Sequence, residues 1–238
     1  MTIEEIERKC KIYNIRNYTI NDGVVDVDDD VIISKTGIKK FPVRFGEVTG
    51  TFRCIGNNLL TLEGAPHTVG GHFSCSENKL TSLEGGPHTV GGHFYCRKNR
   101  LITLEGAPKK IDGDFVCSFN QLTSLEGCPS DVVSFDCSDN KLTSLEYCPT
   151  EVGTRLYCVG NKITNLDYLP DSLGRIFCCD DNPIGSIFDR VDMEFLYVFN
   201  TYKVIKGDQV NLKRLKYVMG LFDKRIDLDE IEIHYTIV

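Results

Sequence analysis

The residues of this chain able to do chemistry are its cysteines, histidines and clustered aspartates, and their spacing is the first clue to what they do. There are eleven cysteines, which could supply thiolates for nucleophilic attack, metal ligation or disulfide exchange. Seven of them, Cys54, Cys75, Cys96, Cys117, Cys137, Cys158 and Cys179, recur 21, 21, 21, 20, 21 and 21 residues apart. Histidines recur in the same register, His67 with His88 and His72 with His93. Stacked imidazoles can hold a metal, but no third or fourth ligand accompanies these, and duplication of a repeat copies its histidines. Asp26, Asp28, Asp29 and Asp30 offer oxygens to calcium, yet the glycine and closing glutamate of a calcium-binding loop are missing. A solvated acidic edge that discourages edge-to-edge pairing is the simpler reading. Neither a metal nor a cofactor is expected.

Periodicity argues against thiol chemistry. A cysteine that returns once per repeat is stacked on its own copies, and a small hydrophobe fills such a column well. Cys128 and Cys148 stand before Pro129 and Pro149, where other repeats have Ala65, Gly86 and Ala107, so they too replace small residues. No nucleophile elbow, phosphate-binding loop or dinucleotide fingerprint is present, and the chain reads as a non-enzyme. Its formal charge of −7 disfavours direct binding to nucleic acid or to an anionic membrane. The first residues lack the apolar run of a signal peptide and no segment has transmembrane length. With reduced cysteines, these features lead to an expected place in the cytoplasm.

Each of the seven periodic cysteines belongs to a phrase of the form F-x-C-x-x-N-x-L between Phe52 and Asn182. A period this regular predicts coils that stack without independent cores. In 71–91, Phe73 and Cys75 alternate with His72, Ser74 and Ser76, the pattern of a short strand with one buried face. Asn78 falls at the corner, where its amide can satisfy backbone groups that a turning chain leaves unpaired. Leu80, Leu83 and Val90 close the interior, while Gly85, Gly86 and Pro87 keep the return leg tight. A degenerate unit precedes these repeats, with Val31 under Phe52, Ile33 under Cys54, Ile38 under Leu59, Phe41 under Leu62 and Val48 under Val69. Between Val132 and Phe135 there are two residues where other repeats have three, a deletion that should bend or twist the strand ribbon.

The flanks have other signatures. Thr2 to Glu5 fits a capping box for a helix over 2–13, and Asn21-Asp22-Gly23 is a hairpin signal. After Ile187 the pattern stops. Phe195, Leu196, Val198 and Phe199 form an apolar patch. Leu212, Leu215, Val218, Met219 and Phe222 recur at helical spacing, and the tail IEIHYTIV alternates like a strand.

The phrase F-x-C-x-x-N-x-L resembles the core of leucine-rich repeats, with Phe and Cys in two leucine places. The return leg from Leu80 to Pro87 and from Leu122 to Pro129 resembles the short repeats of bacterial type III effectors. The Phe/Cys variant resembles leucine-rich-repeat proteins of large bacteriophages. This implies an α/β solenoid, a leucine-rich-repeat array with a parallel strand ribbon, a helix-hairpin cap at 1–30, one degenerate plus seven repeats at 31–188, and an α/β cap at 189–238. Cys137-Ser138-Asp139 also resembles the Cys-x-Asp triplet of effector-type ubiquitin ligases, but their large helical domain is absent and Cys137 is a ladder position.

Function is expected on the concave strand face, whose outward positions vary while the buried ones do not. Arg53, His72, His93, Tyr95, Arg97, Asp114, Val116, Asp136, Arg155 and Tyr157 are the candidate partner-binding residues, because Arg and Tyr are enriched at binding hot spots. Ser74, Ser76, Ser118, Ser134 and Ser138 are read as outward too. The phage resemblance implies a virus-encoded protein that binds and blocks a bacterial host protein, such as a defence factor. Two alternatives are an effector or adaptor acting in a eukaryotic host, and an acidic inhibitor competing with nucleic acid for its enzyme.

Overall fold

The computed structural model describes residues 1–174, 176–187 and 193–238. The chain opens on α1 (Ile3–Ile12), which begins where Thr2 and Glu5 form the reciprocal capping box and buries Ile6 and Cys10. Strands β1 (Tyr18–Asn21) and β2 (Val24–Val27) then form an antiparallel hairpin. Its turn residues Asp22 and Gly23 have φ of 49° and 75°, the left-handed pair that matches the twist of the strands it joins.

Stacked coils follow, and they form a β-solenoid of parallel strands. One ladder carries Val31, Phe52, Phe73, Phe94, Phe115, Phe135, Leu156 and Phe177 directly over one another, so the degenerate unit takes its expected register. A second ladder, not foreseen as a sheet, runs along the return leg through Val48, Val69, Val90 and Ile111. The hairpin joins this second ladder, with Val27 beside Val48. The N-terminal unit therefore covers an open strand edge that would otherwise pair with another chain.

The expected α/β solenoid needs correcting, because among the described residues no helix lies between Ile12 and Pro183. The return legs have no room for one. Gly64, Gly85, Gly106 and Gly127 adopt φ of 86°, 78°, 83° and 91°, and a proline follows two residues later. Left-handed backbone and a missing N–H both stop helix propagation.

Between the ladders lies a dry core. Phe52, Phe73, Phe94, Phe115 and Phe135, their neighbouring cysteines and both leucines of each repeat have essentially no exposure. Burying each Phe or Leu is worth about 1.5–3 kcal/mol, and every coil repeats the gain. Phe52, Phe73 and Phe94 stack face to face at 5.6 and 5.3 Å. The two short strands of other coils run continuously here as Asp131–Asp136, and again in the next coil as Glu151–Tyr157, whose link keeps three residues. Their pairing shifts register between Val132 and Ser134, because two residues there face three in the next coil.

The end of the repeat array expected at 188/189 lies outside the described residues. Beyond them, α2 (Met193–Thr201) carries Phe195, Leu196, Val198 and Phe199, and α3 (Leu212–Leu221) carries the predicted helical row. The tail departs from the expected strand. Its first two residues, Ile231 and Glu232, end α4 (Leu228–Glu232), which is started by the Asp227 side chain accepting the Glu230 N–H, and within the tail Thr236–Ile237 pairs as a strand. Hydrogen bonds tie this unit to the coils: the Tyr235 hydroxyl donates to the Thr164 carbonyl at 2.7 Å, and Asn200 Nδ2 donates to the Leu166 carbonyl at 3.0 Å.

Candidate binding face

The corner asparagines hold the strand face in place. Asn78 Oδ1 accepts the Leu59 N–H, while Nδ2 donates to the carbonyls of Cys54, Cys75 and Ser76. Asn99, Asn120, Asn140, Asn161 and Asn182 repeat the arrangement. Each corner amide therefore fastens its own coil to the one before it. Thiols add a second fastening: Cys54, Cys96, Cys137 and Cys158 donate to a carbonyl of the following coil at 3.4–3.5 Å. None of the seven ladder cysteines is in a disulfide among the described residues, and burial pushes the ladder thiols far above the ordinary range. Cys137 is thereby unsuited to the nucleophilic role that its triplet suggests.

The residue before each Phe has a structural task that its sequence pattern does not announce. Asp30 Oδ1 accepts the Thr51 N–H, and Thr51 Oγ1 accepts that of His72. His72 Nδ1 then accepts the His93 N–H, and His93 Nδ1 that of Asp114, both at 2.9 Å. The two imidazoles stack with centroids 4.6 Å apart, and His93 Nδ1 also lies 3.4 Å from Asp114 Oδ2. Both rings are thus bound to backbone at one nitrogen and present the other outward. Asp26 and Asp28 act similarly at the start of the array, accepting from the Glu47 N–H and the Thr49 hydroxyl. The acidic edge is a row of acceptors for the next coil.

The predicted face residues are reachable: Arg53, Arg97 and Arg155 are exposed, while His72, His93, Tyr95, Asp114, Val116, Asp136 and Tyr157 are half-buried. Ser74, Ser76, Ser118 and Ser138, expected outward, are instead buried, and Ser74 and Ser76 form the floor of a groove. Tyr95, Arg97, Val116 and Asp136 converge with Ile55, Ser74, Ser76 and Glu77 on one shallow groove of about 400 Å³. Ser74 Oγ and Ser76 Oγ lie 3.3 Å apart in its base. Arg155 and Tyr157 line a neighbouring rung without entering this groove. Glu77 escaped sequence reasoning, although its place immediately before Asn78 puts it at the corner beside the strand.

Charge on the face is divided. The rungs from Thr51 to Arg97 present Arg53, Arg97 and two imidazoles, with no carboxylate on the strand positions, whereas Asp114, Asp136 and Asp180 follow, with Arg155 among them. Tyr95 sits at the division. Burial raises its hydroxyl's pKa, nearby Asp114 adds to the rise, and Arg53 opposes it. The phenol is therefore a neutral donor at physiological pH.

Fold and face define a class, a parallel β-solenoid presenting a variable, amphipathic strand surface. Neither a comparison with protein-family models nor one with curated proteins finds a match for this chain. Among the described residues no helix is long and apolar enough to cross a membrane.

Proposed function

We propose that this is a non-enzymatic, leucine-rich-repeat-type recognition protein that docks another protein on its strand face and occludes the partner's own binding surface. Its organisation would be a helix-hairpin cap at 1–30, repeats at 31–188 and a terminal cap at 189–238. The observation that carries the reading is the groove, in which Tyr95, Arg97, Val116 and Asp136 converge above a floor of buried serines. Aromatic side chains over a stiff scaffold lose little entropy on docking, and the planar guanidinium fork is pre-organised for paired hydrogen bonds. The resemblance to phage proteins makes a bacterial host protein the expected partner, met in the cytoplasm. The divided charge sets polarity: an acidic patch of the partner fits the Arg53–Arg97 half and a basic one the Asp114–Asp136 half.

The test is capture from a bacterial lysate with the wild type and with Tyr95→Ala/Tyr157→Ala. Among the described residues neither phenol makes a hydrogen bond that holds a coil together, so the double variant should keep its thermal midpoint. Loss of the co-eluting protein supports the reading. Capture that is undiminished removes the strand face from consideration.

A further inference from the structure

A second hollow, of about 480 Å³, lies where the terminal unit meets the last coil. Lys203, Lys206 and Arg214 line it, together with Asn165 and Asn200 and a single carboxylate, Asp167. The fold forces these cations together. Lys203 follows α2 in a left-handed conformation with φ of 46°, which turns the chain into the strand Ile205–Lys206. Arg214 reaches back from the first turn of α3, its Nη1 donating to the Lys203 carbonyl at 3.1 Å. None of the three makes an ion pair among the described residues. Asn200 is occupied with the Leu166 carbonyl. Asn165 Oδ1 accepts the Asp167 N–H, which leaves its NH2 as a donor.

Three like charges around one concavity, opposed by one carboxylate, create a local positive potential in a protein whose total is −7. Such a site is relieved by a multivalent anion rather than by a neutral ligand. Arginine's fork and the lysine ammoniums together suit phosphate oxygens, and the hollow has the size of a small-ligand site. From these features we infer that the junction binds phosphate groups, carried either by a free oligophosphate ligand or by the backbone of a nucleic-acid strand. The second source has a feature of its own. Tyr202 precedes Lys203, Tyr217 lies one helical turn beyond Arg214, and their rings are 5.1 Å apart on the exposed surface, where a base could stack.

Calorimetric titration of the full chain with inorganic tripolyphosphate tests the inference. Saturable binding is expected, weakened about fivefold by Lys203→Gln and by Lys206→Gln, as for exposed charge pairs. Arg97→Gln on the strand face should leave it unchanged. Lys206 is exposed and makes no side-chain hydrogen bond or ion pair among the described residues, so its variant should fold as the wild type does, which circular dichroism would verify. No saturable binding, undiminished binding by the Lys203→Gln/Lys206→Gln double variant, or an equal loss in Arg97→Gln overturns the site. A short oligothymidylate distinguishes the sources. A strand as ligand would bind more tightly than tripolyphosphate, lose that advantage in Tyr217→Leu, and show a salt slope smaller by about one for each lysine removed. A free oligophosphate as ligand leaves the oligothymidylate no advantage.

Discussion

Asn120 makes four hydrogen bonds with one amide, accepting the Leu101 N–H and donating to the carbonyls of Cys96, Cys117 and Ser118. Asn120→Ala leaves the buried Leu101 N–H without its acceptor, while the Cys96, Cys117 and Ser118 carbonyls each keep one other donor, and a stability loss of about 1–3 kcal/mol is expected in urea unfolding. The role was legible in sequence, since an amide that returns at every corner has little else to satisfy. The cysteines beside it predict an alkaline limit. Desolvation raises the folded thiols above their ordinary value of 9.0, Cys148 and Cys179 to about 12. Above pH 9 the unfolded chain therefore loses protons that the folded chain retains. The thiol contribution is intact below pH 9 and is lost as pH rises toward 12. Thermal midpoints measured across that interval should fall steadily, and replacing Cys148 with Ala should make the fall shallower. The histidines were less legible: their period was plain, but that Nδ1 is committed to the next coil's backbone depends on side-chain direction within a stacked rung.

At the scale of the element, close approach of coils decides which residues are allowed. A Cβ on Gly91 would stand 2.3 Å from the Gly70 carbonyl oxygen, and one on Gly70 would stand 2.2 Å from that of Thr49. Both obstacles are backbone, so Gly91→Ala must push two coils apart, with an expected cost of about 2–4 kcal/mol in denaturant titration. Tyr147 presents the opposite case. It occupies the column of Gly64, Gly85, Gly106 and Gly127, takes a φ of 64°, and leaves its ring half exposed. A bulky residue in left-handed backbone costs about 1–2 kcal/mol. Tyr147→Gly should therefore raise the thermal midpoint slightly, and a fall would mean that the ring makes a contact worth more than the strain. The turn chemistry of the return leg could be read from Gly and Pro. The left-handed corners at Glu77, Lys98, Phe119 and Asp139, with φ of 58°, 54°, 57° and 53°, were missed, although Gly56 and Gly160 mark the same column with φ of 68° and 65°.

Across the whole molecule, each coil touches chiefly its neighbours, so stability is a sum of coil and interface terms and the ends need covering. The hairpin covers one ladder at the start, and Tyr235 fastens the other end to Thr164. Burial of that phenol raises its pKa above the ordinary range, which keeps it a donor well into alkaline solution. Tyr235→Phe orphans the Thr164 carbonyl at a cost of about 1–2 kcal/mol. Amide exchange should quicken in the last coil and terminal unit while coils 52–117 stay protected. The amino-acid sequence alone determined the period, the stacking order and the identity of the buried columns, because one-dimensional repetition with a hydrophobic face has a single way to bury itself. Only the tertiary structure decided that serines read as outward are buried, that a missing residue shifts the register between two coils, and that three cations from separate elements meet where the terminal unit joins the coils. Those outcomes depend on how side chains from different coils and from the terminal unit fill shared space, and no spacing along the chain encodes that.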